Sequence, residues 1–165
     1  MGRLILTISI YLVMIVSVWL MRLSTKGEYG LLAIVDLALH SNQGPVQSFQ
    51  VADRQHIPKQ YLDQLMLSLK KAGLVGSSRG RQGGYVLARP AGSISVLEIV
   101  AALEGPVGNV NFARKDHRTK SPAYHVLQGL WDGVVSNVVQ ILENTTLEEL
   151  CDQHRKMESQ IMYYI

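Results

Sequence analysis

Arg79-Gly80-Arg81 places two guanidinium groups in a polar turn running from Ser77 to Gly84, a stretch too hydrophilic and too flexible to enter a core. Guanidinium is a permanent cation with a planar fork of donors that matches phosphate oxygens. Two of them on a loop tip suit the DNA backbone or a narrow minor groove. The flanking residues must hold that tip in place. Pro58 fits the first turn of a helix, where its missing N–H costs nothing. Tyr61, Leu62, Leu65, Met66 and Leu69 then recur at helical spacing. Lys70 and Lys71 fall in the last turn, where the helix dipole favours cations, and Gly73 is placed to end it. Leu74 and Val75 open a short strand, and Tyr85-Val86-Leu87 return as a second. Helix, strand, basic turn and strand outline a winged helix-turn-helix, whose helix can enter a major groove. The same outline occurs in domains that never touch DNA, where such arginines are only a solvated hairpin tip.

The residues upstream strengthen the first reading. Gln47 to His56 predicts a short helix with Phe49 and Ala52 facing inward. Ile57-Pro58 makes a tight joint, because the residue before proline is driven out of the α region. Two short helices joined this way form a helix-turn-helix. Ser24 to Leu39 predicts a further amphipathic helix with Tyr29, Leu32, Ala33, Leu37 and Ala38 as its apolar positions, and Asn42-Gln43-Gly44-Pro45 is a loop.

Several of these motifs in one order resemble the Rrf family of bacterial winged-helix transcriptional regulators. They are Met21 to Leu31, Ile57 to Leu62, Lys71-Ala72-Gly73-Leu74-Val75, Ser78-Arg79-Gly80, Gly83-Gly84-Tyr85, Glu98-Ile99-Val100 and Ala102-Leu103-Glu104-Gly105. The resemblance runs from Met21 to about Leu150. It implies a mainly α fold with a small β-hairpin wing and a long C-terminal dimerisation helix. It implies a homodimer on a pseudo-palindromic operator, with double-stranded DNA and a second copy of the chain as partners. It also places Lys59, Gln60 and Tyr61 at the exposed start of the recognition helix. Gln60 is then suited to a bidentate contact with adenine, while Asp63 excludes some bases more than it attracts others. Arg79 matches a wing arginine of the family, and Arg81 is its neighbour for phosphate contact.

Composition is consistent with this and decides little. A chain of 165 residues, 47% of them hydrophobic, is long enough for one cored domain and an accessory element. The formal charge of +3 permits DNA binding without requiring it. The basic residues Lys59, Lys70, Lys71, Arg79, Arg81 and Arg89 cluster around the expected reading head. The single cysteine excludes an intrachain disulfide framework and fits a reducing cytoplasm.

The N-terminal run from Leu4 to Leu20 has no charged residue, and its 17 residues just suffice for a thin bilayer. A membrane anchor, a core helix and an upstream start codon all compete for it. Met21 begins the family-like sequence directly, so residues 1–20 are expected to be a start-site artefact and membrane attachment is not expected. The remaining divisions are a winged helix-turn-helix over 21–105, a loop over 106–120, and a dimerisation helix with a short terminal helix over 121–165.

Ser95 and Glu98 form a capping box for a helix through Leu103, ended by Gly105-Pro106. Ser121-Pro122 is a second strong helix start. From there Val126, Leu127, Leu130, Trp131, Val134, Val135, Val138, Val139, Ile141 and Leu142 make a wide apolar face. A helix from Pro122 to Asn144 would be about 34 Å long. A small winged domain cannot cover that much surface, so Val126, Leu130, Trp131, Gly133, Val134 and Val138 are expected to meet a partner subunit. Gly129 and Gly133 stand four apart, which suggests close backbone approach there; the alternative is that they make room for an aromatic neighbour. Thr145 to Glu149 offers another capping box, for a short terminal helix.

Sensing chemistry is where the chain departs from the resemblance. Iron–sulfur members of the family carry three closely spaced cysteines before the long helix, since thiolates bind the irons. The matching loop here, Gly105 to Ser121, has none, and the sole cysteine is Cys151. Some members add a carboxylate near the start of the first helix, where Glu28 stands. Asp116, His117 and His125 match no strong metal spacing, so no metal and no cofactor are expected. No nucleophile–base pair or phosphate-cradling loop ahead of a helix is present, so the chain is not expected to be an enzyme. The function read from these residues is a sequence-specific transcriptional regulator. The alternatives are a protein-interaction module that docks a metabolic enzyme, or a membrane-anchored regulator.

Overall fold

Ser24 accepts a hydrogen bond from the Gly27 amide, which caps α1 (Thr25–Leu39). The computed structural model describes residues 23–80, 83–107 and 121–162. The expected N-terminal run, Arg81, most of the loop before the long helix (with Asp116 and His117) and the last three residues lie outside these. After α1 come α2 (Ser48–Arg54) and α3 (Lys59–Lys71), the strands β1 (Val75–Ser78) and β2 (Gly84–Leu87), and then α4 (Val96–Glu104), α5 (Pro122–Asn144) and α6 (Leu147–Met162). The architecture is mainly helical with a two-stranded antiparallel wing, as the residue pattern predicts.

The core forms where α1, α3 and α4 meet. Ala33, Ile34 and Leu37 of α1 pack with Leu62, Leu65, Met66 and Leu69 of α3 and Ile99 and Leu103 of α4. Gly30 lets α1 and α4 approach, since a Cβ there would lie 2.3 Å from the Leu103 side chain. On α1 the expected Ala33, Leu37 and Ala38 are buried and Tyr29 packs against the core, joined by Ile34, whereas Leu32, also expected to face inward, is exposed. On α2 the inward residue is Val51. Phe49, expected to face inward, is 55% exposed. A seven-residue helix offers too few turns for its periodicity to identify the buried face.

The helix-turn-helix is locked by a buried carboxylate. Asp36 of α1 is 1% exposed. It accepts from Arg54 Nε at 2.9 Å, from Arg54 Nη2 at 2.6 Å and from Gln55 Nε2 at 3.0 Å. The hydrogen bonds and charge of Asp36 hold the Arg54 guanidinium pKa above its ordinary value against the opposing effect of burial. His56 takes a left-handed conformation (φ 52°) in the turn that follows. Ile57 N donates to Ala52 O at 2.9 Å, closing the joint onto α3.

Gly73, at φ 72°, follows the end of α3 and turns the chain into β1. Val75 pairs with Leu87 and Ser78 with Gly84 across the wing. Val46 adds a bridge on the other edge of β2, with Tyr85 N donating to its oxygen at 2.8 Å. Gly84 is required there, because a Cβ would meet Val46 O at 2.4 Å. Both predicted capping boxes form, Ser95 with Glu98 and Thr146 with Glu149. Glu98 is held below the usual carboxylate range by hydrogen bonding at Ser95 and then by the Arg89 guanidinium.

The long helix spans Pro122–Asn144 as expected, capped by Ser121. Its far end is stitched to the start of α4: Val96 N donates to Thr145 O and Leu147 N to Ile94 O, both at 2.9 Å. The terminal helix is 16 residues, longer than expected, and it packs back on α1. Leu147 and Cys151 enter the core from it.

Replacing Asp36 by Ala should lower stability by about 2 kcal/mol, because it strands a partly buried guanidinium and removes three charge-assisted hydrogen bonds. Urea unfolding of the variant measures this, and an unchanged midpoint would show that the packing alone orients α2.

Candidate nucleic-acid interface

The apolar stripe of α3 faces the core, so its opposite side is open. Lys59, Gln60, Gln64, Leu67, Lys70 and Lys71 are exposed on it. Gln60, Gln64, Leu67 and Lys71 follow one another at intervals of four, three and four, which puts them in one line along the helix. Gln64 and Leu67 were not singled out from the sequence. The signal was available as the complement of the apolar stripe.

The residues expected at the head of α3 are placed differently from one another. Gln60 points to solvent. Lys59 Nζ lies 3.0 Å from Asp63 Oδ2, an exposed pair one turn apart. Tyr61 is half-buried, and its ring meets Tyr29 of α1 edge to face, with centroids 6.1 Å apart. Of the three, then, Lys59 and Gln60 lie open at the start of the helix and Tyr61 leans on the body.

The wing stands beside this face. Lys70 Nζ donates to Ser77 Oγ at 2.5 Å, tying the last turn of α3 to β1. Arg79 is exposed at the end of β1, and Arg81 lies outside the described residues. Arg89 was grouped with the cations of the reading head. It is committed elsewhere: it pairs with Glu98, and its Nη1 donates to Ser93 O at 2.9 Å.

Among the described residues no three His, Cys, Asp or Glu side chains gather where they could hold a metal ion. Glu28 is exposed at the start of α1 and Cys151 is 2% exposed within the core. Burial pushes the Cys151 thiol pKa up, so at neutral pH it is protonated and weakly nucleophilic. Among the described residues, no helix is long and apolar enough to cross a membrane.

A helix-turn-helix with an open recognition face and a basic wing defines a winged-helix DNA-binding protein. The comparisons with known proteins narrow this. The Rrf2 family model, described as an iron-dependent transcriptional regulator, matches residues 23–153. The chain is 34% identical over 145 residues to the HTH-type transcriptional regulator CymR of Bacillus subtilis, covering 88% of this chain and 100% of that protein. It is 41% identical over 134 residues to the regulator IscR of Cereibacter sphaeroides, covering 79% and 86%. The solved structure of B. subtilis CymR, described as its global cysteine regulator, superposes with a TM-score of 0.71 at 35% identity, covering 81% of this chain and 98% of that one. The chain belongs to the Rrf2 family and is an HTH-type transcriptional regulator, not an enzyme.

Proposed function

We infer that this regulator acts as a homodimer that reads a pseudo-palindromic operator, and that it does so without a conventional iron–sulfur cluster. The observation that carries the reading is α5. It is a 23-residue helix with no buried residue. Val126 and Leu130 are 73% and 66% exposed, and Gly133 also stands open. Trp131, Val134 and Val138 are half-buried. Apart from the adjoining residues and the backbone of α5 itself, no described atom comes within 4 Å of where a Cβ would stand on Gly129 or Gly133. The glycines therefore make no room for a neighbour among these residues, and close approach by a second helix is what they favour. An apolar face of this size, left in water, is characteristic of an assembly surface. Two copies joined through α5 would present two α3 helices to successive major grooves, about 34 Å apart.

In this reading Gln60 contacts a base, Lys59 and Arg79 contact the backbone, and Asp63 restrains Lys59 and disfavours some bases. Tyr61 supports the head of the helix from behind. Arg81 belongs to the same wing by its position in the sequence.

The family description names iron, and the donor set of this chain does not fit a cluster. A cluster needs several thiolates held together. The chain has one cysteine, and it is enclosed in the core. The test of the whole reading is selection of operator duplexes from a random pool with the purified protein, followed by sedimentation with and without the selected DNA.

For Gln60→Ala the selected motif should change at one base pair in each half-site; an unaltered motif would move base reading to another residue. Arg79→Ala should weaken all sequences, with the slope of log affinity against log salt falling by about 1 per subunit. An unchanged slope would take the wing off the DNA. Leu130→Asp should sediment as a monomer and lose tight operator binding, while an intact dimer would place the interface away from α5. Protein prepared without oxygen should be colourless and bind its operator without added iron, and stoichiometric iron and sulfide in that preparation would reverse the cluster assignment.

A further inference from the structure

Phe49 is the second residue of α2, and more than half of its surface faces water. Burying a phenyl ring against an apolar group is favourable, and this ring is left in water beside the α3 helix. Phe49, Ala52 and Asp53 share one face of α2, and together with Ile57 and Lys59 they line a single open cleft. Lys59 opens α3 and is followed by Gln60, the exposed residue at the head of the recognition face. The cleft is therefore continuous with the surface that enters the groove.

We propose that Phe49 recognises the C5-methyl group of a thymine at the edge of each half-site, so that α2 adds base specificity to α3. The proposal rests on the operator-binding reading above. In the major groove only thymine presents a methyl group, and apolar side chains select it against cytosine. The phenyl ring, the Ala52 methyl and the buried Ile57 offer this group apolar contact and offer a phosphate no donor. The two charges at the rim settle the choice between base and backbone. Lys59 draws a phosphate toward the α3 side of the cleft. The Asp53 carboxylate repels one from the α2 side, leaving a methyl-bearing base edge as the group that fits between them.

The experiment uses the full chain and operator duplexes that it has itself selected from a random pool. Each thymine is replaced in turn by deoxyuridine, which removes the methyl and leaves the pairing intact. At one thymine per half-site the wild-type protein should lose about fourfold in affinity. Phe49→Ala should bind the all-thymine duplex more weakly by the same factor and show no further loss at that deoxyuridine. Phe49→Leu should keep part of the sensitivity. Thermal unfolding of both variants should match the wild type, since the side chain is largely in water. If Phe49→Ala retained the full methyl effect, or if no thymine were methyl-sensitive in the wild type, the proposal would be overturned while selective operator binding stood. Failure to select any motif would remove the operator reading and the proposal together.

Discussion

A carboxylate buried at the end of α1 sets the orientation of everything that faces outward. Asp36 has almost no contact with water, and a charge in that position is tolerated only where it is paired and hydrogen-bonded. Arg54 satisfies it with two nitrogens and Gln55 with one more. Both partners come from the end of α2, so the pair fixes how α2 crosses α1. Only a few residues separate α2 from α3, and their geometry is itself constrained by the left-handed His56 and by Pro58. Rotating α2 would therefore rotate the recognition face and break a buried ion pair.

Electrostatics on that face are more restrained than the number of basic residues suggests. Lys59 is paired with Asp63, Lys70 is hydrogen-bonded to the wing, and Arg89 is bound to Glu98. Lys71 and Arg79 are exposed at the margins, and neutral Gln60 and Gln64 lie along the centre. Phosphate contacts carry no base information, whereas an amide can donate and accept at one base edge. The face thus carries amides in its middle and cations at its edges.

In the second half of the chain one helix is anchored in the core and the other leaves an apolar side exposed. The terminal helix returns to α1 and places Leu147 and Cys151 in the core, which anchors the far end of α5. That anchoring fixes α5 relative to the recognition head while its apolar side stays open. The one thiol is part of that anchor, enclosed, with its pKa pushed up by burial.

Local rules in the sequence were enough to determine the elements and their order. Caps at Ser95, Ser121 and Thr146, the stop at Gly73, the stripe on α3 and the paired strands around a glycine-rich turn each depend on residues a few positions apart, so they are legible along the chain. Motif order likewise carried the family. Tertiary structure decided what depends on rotation and on distant partners. The outward facing of Phe49 and Leu32 was not legible, because α2 is too short, and α1 too uniformly apolar, for pattern alone to choose a side. Tyr61 turns onto Tyr29, and Arg89 is withdrawn to Glu98, because neighbours supplied by other elements compete for them. Asp36 gave no sign of its role along the chain, since a lone carboxylate in a helix is ordinarily solvated. Its partner lies 18 residues away, and only folding brings the two together.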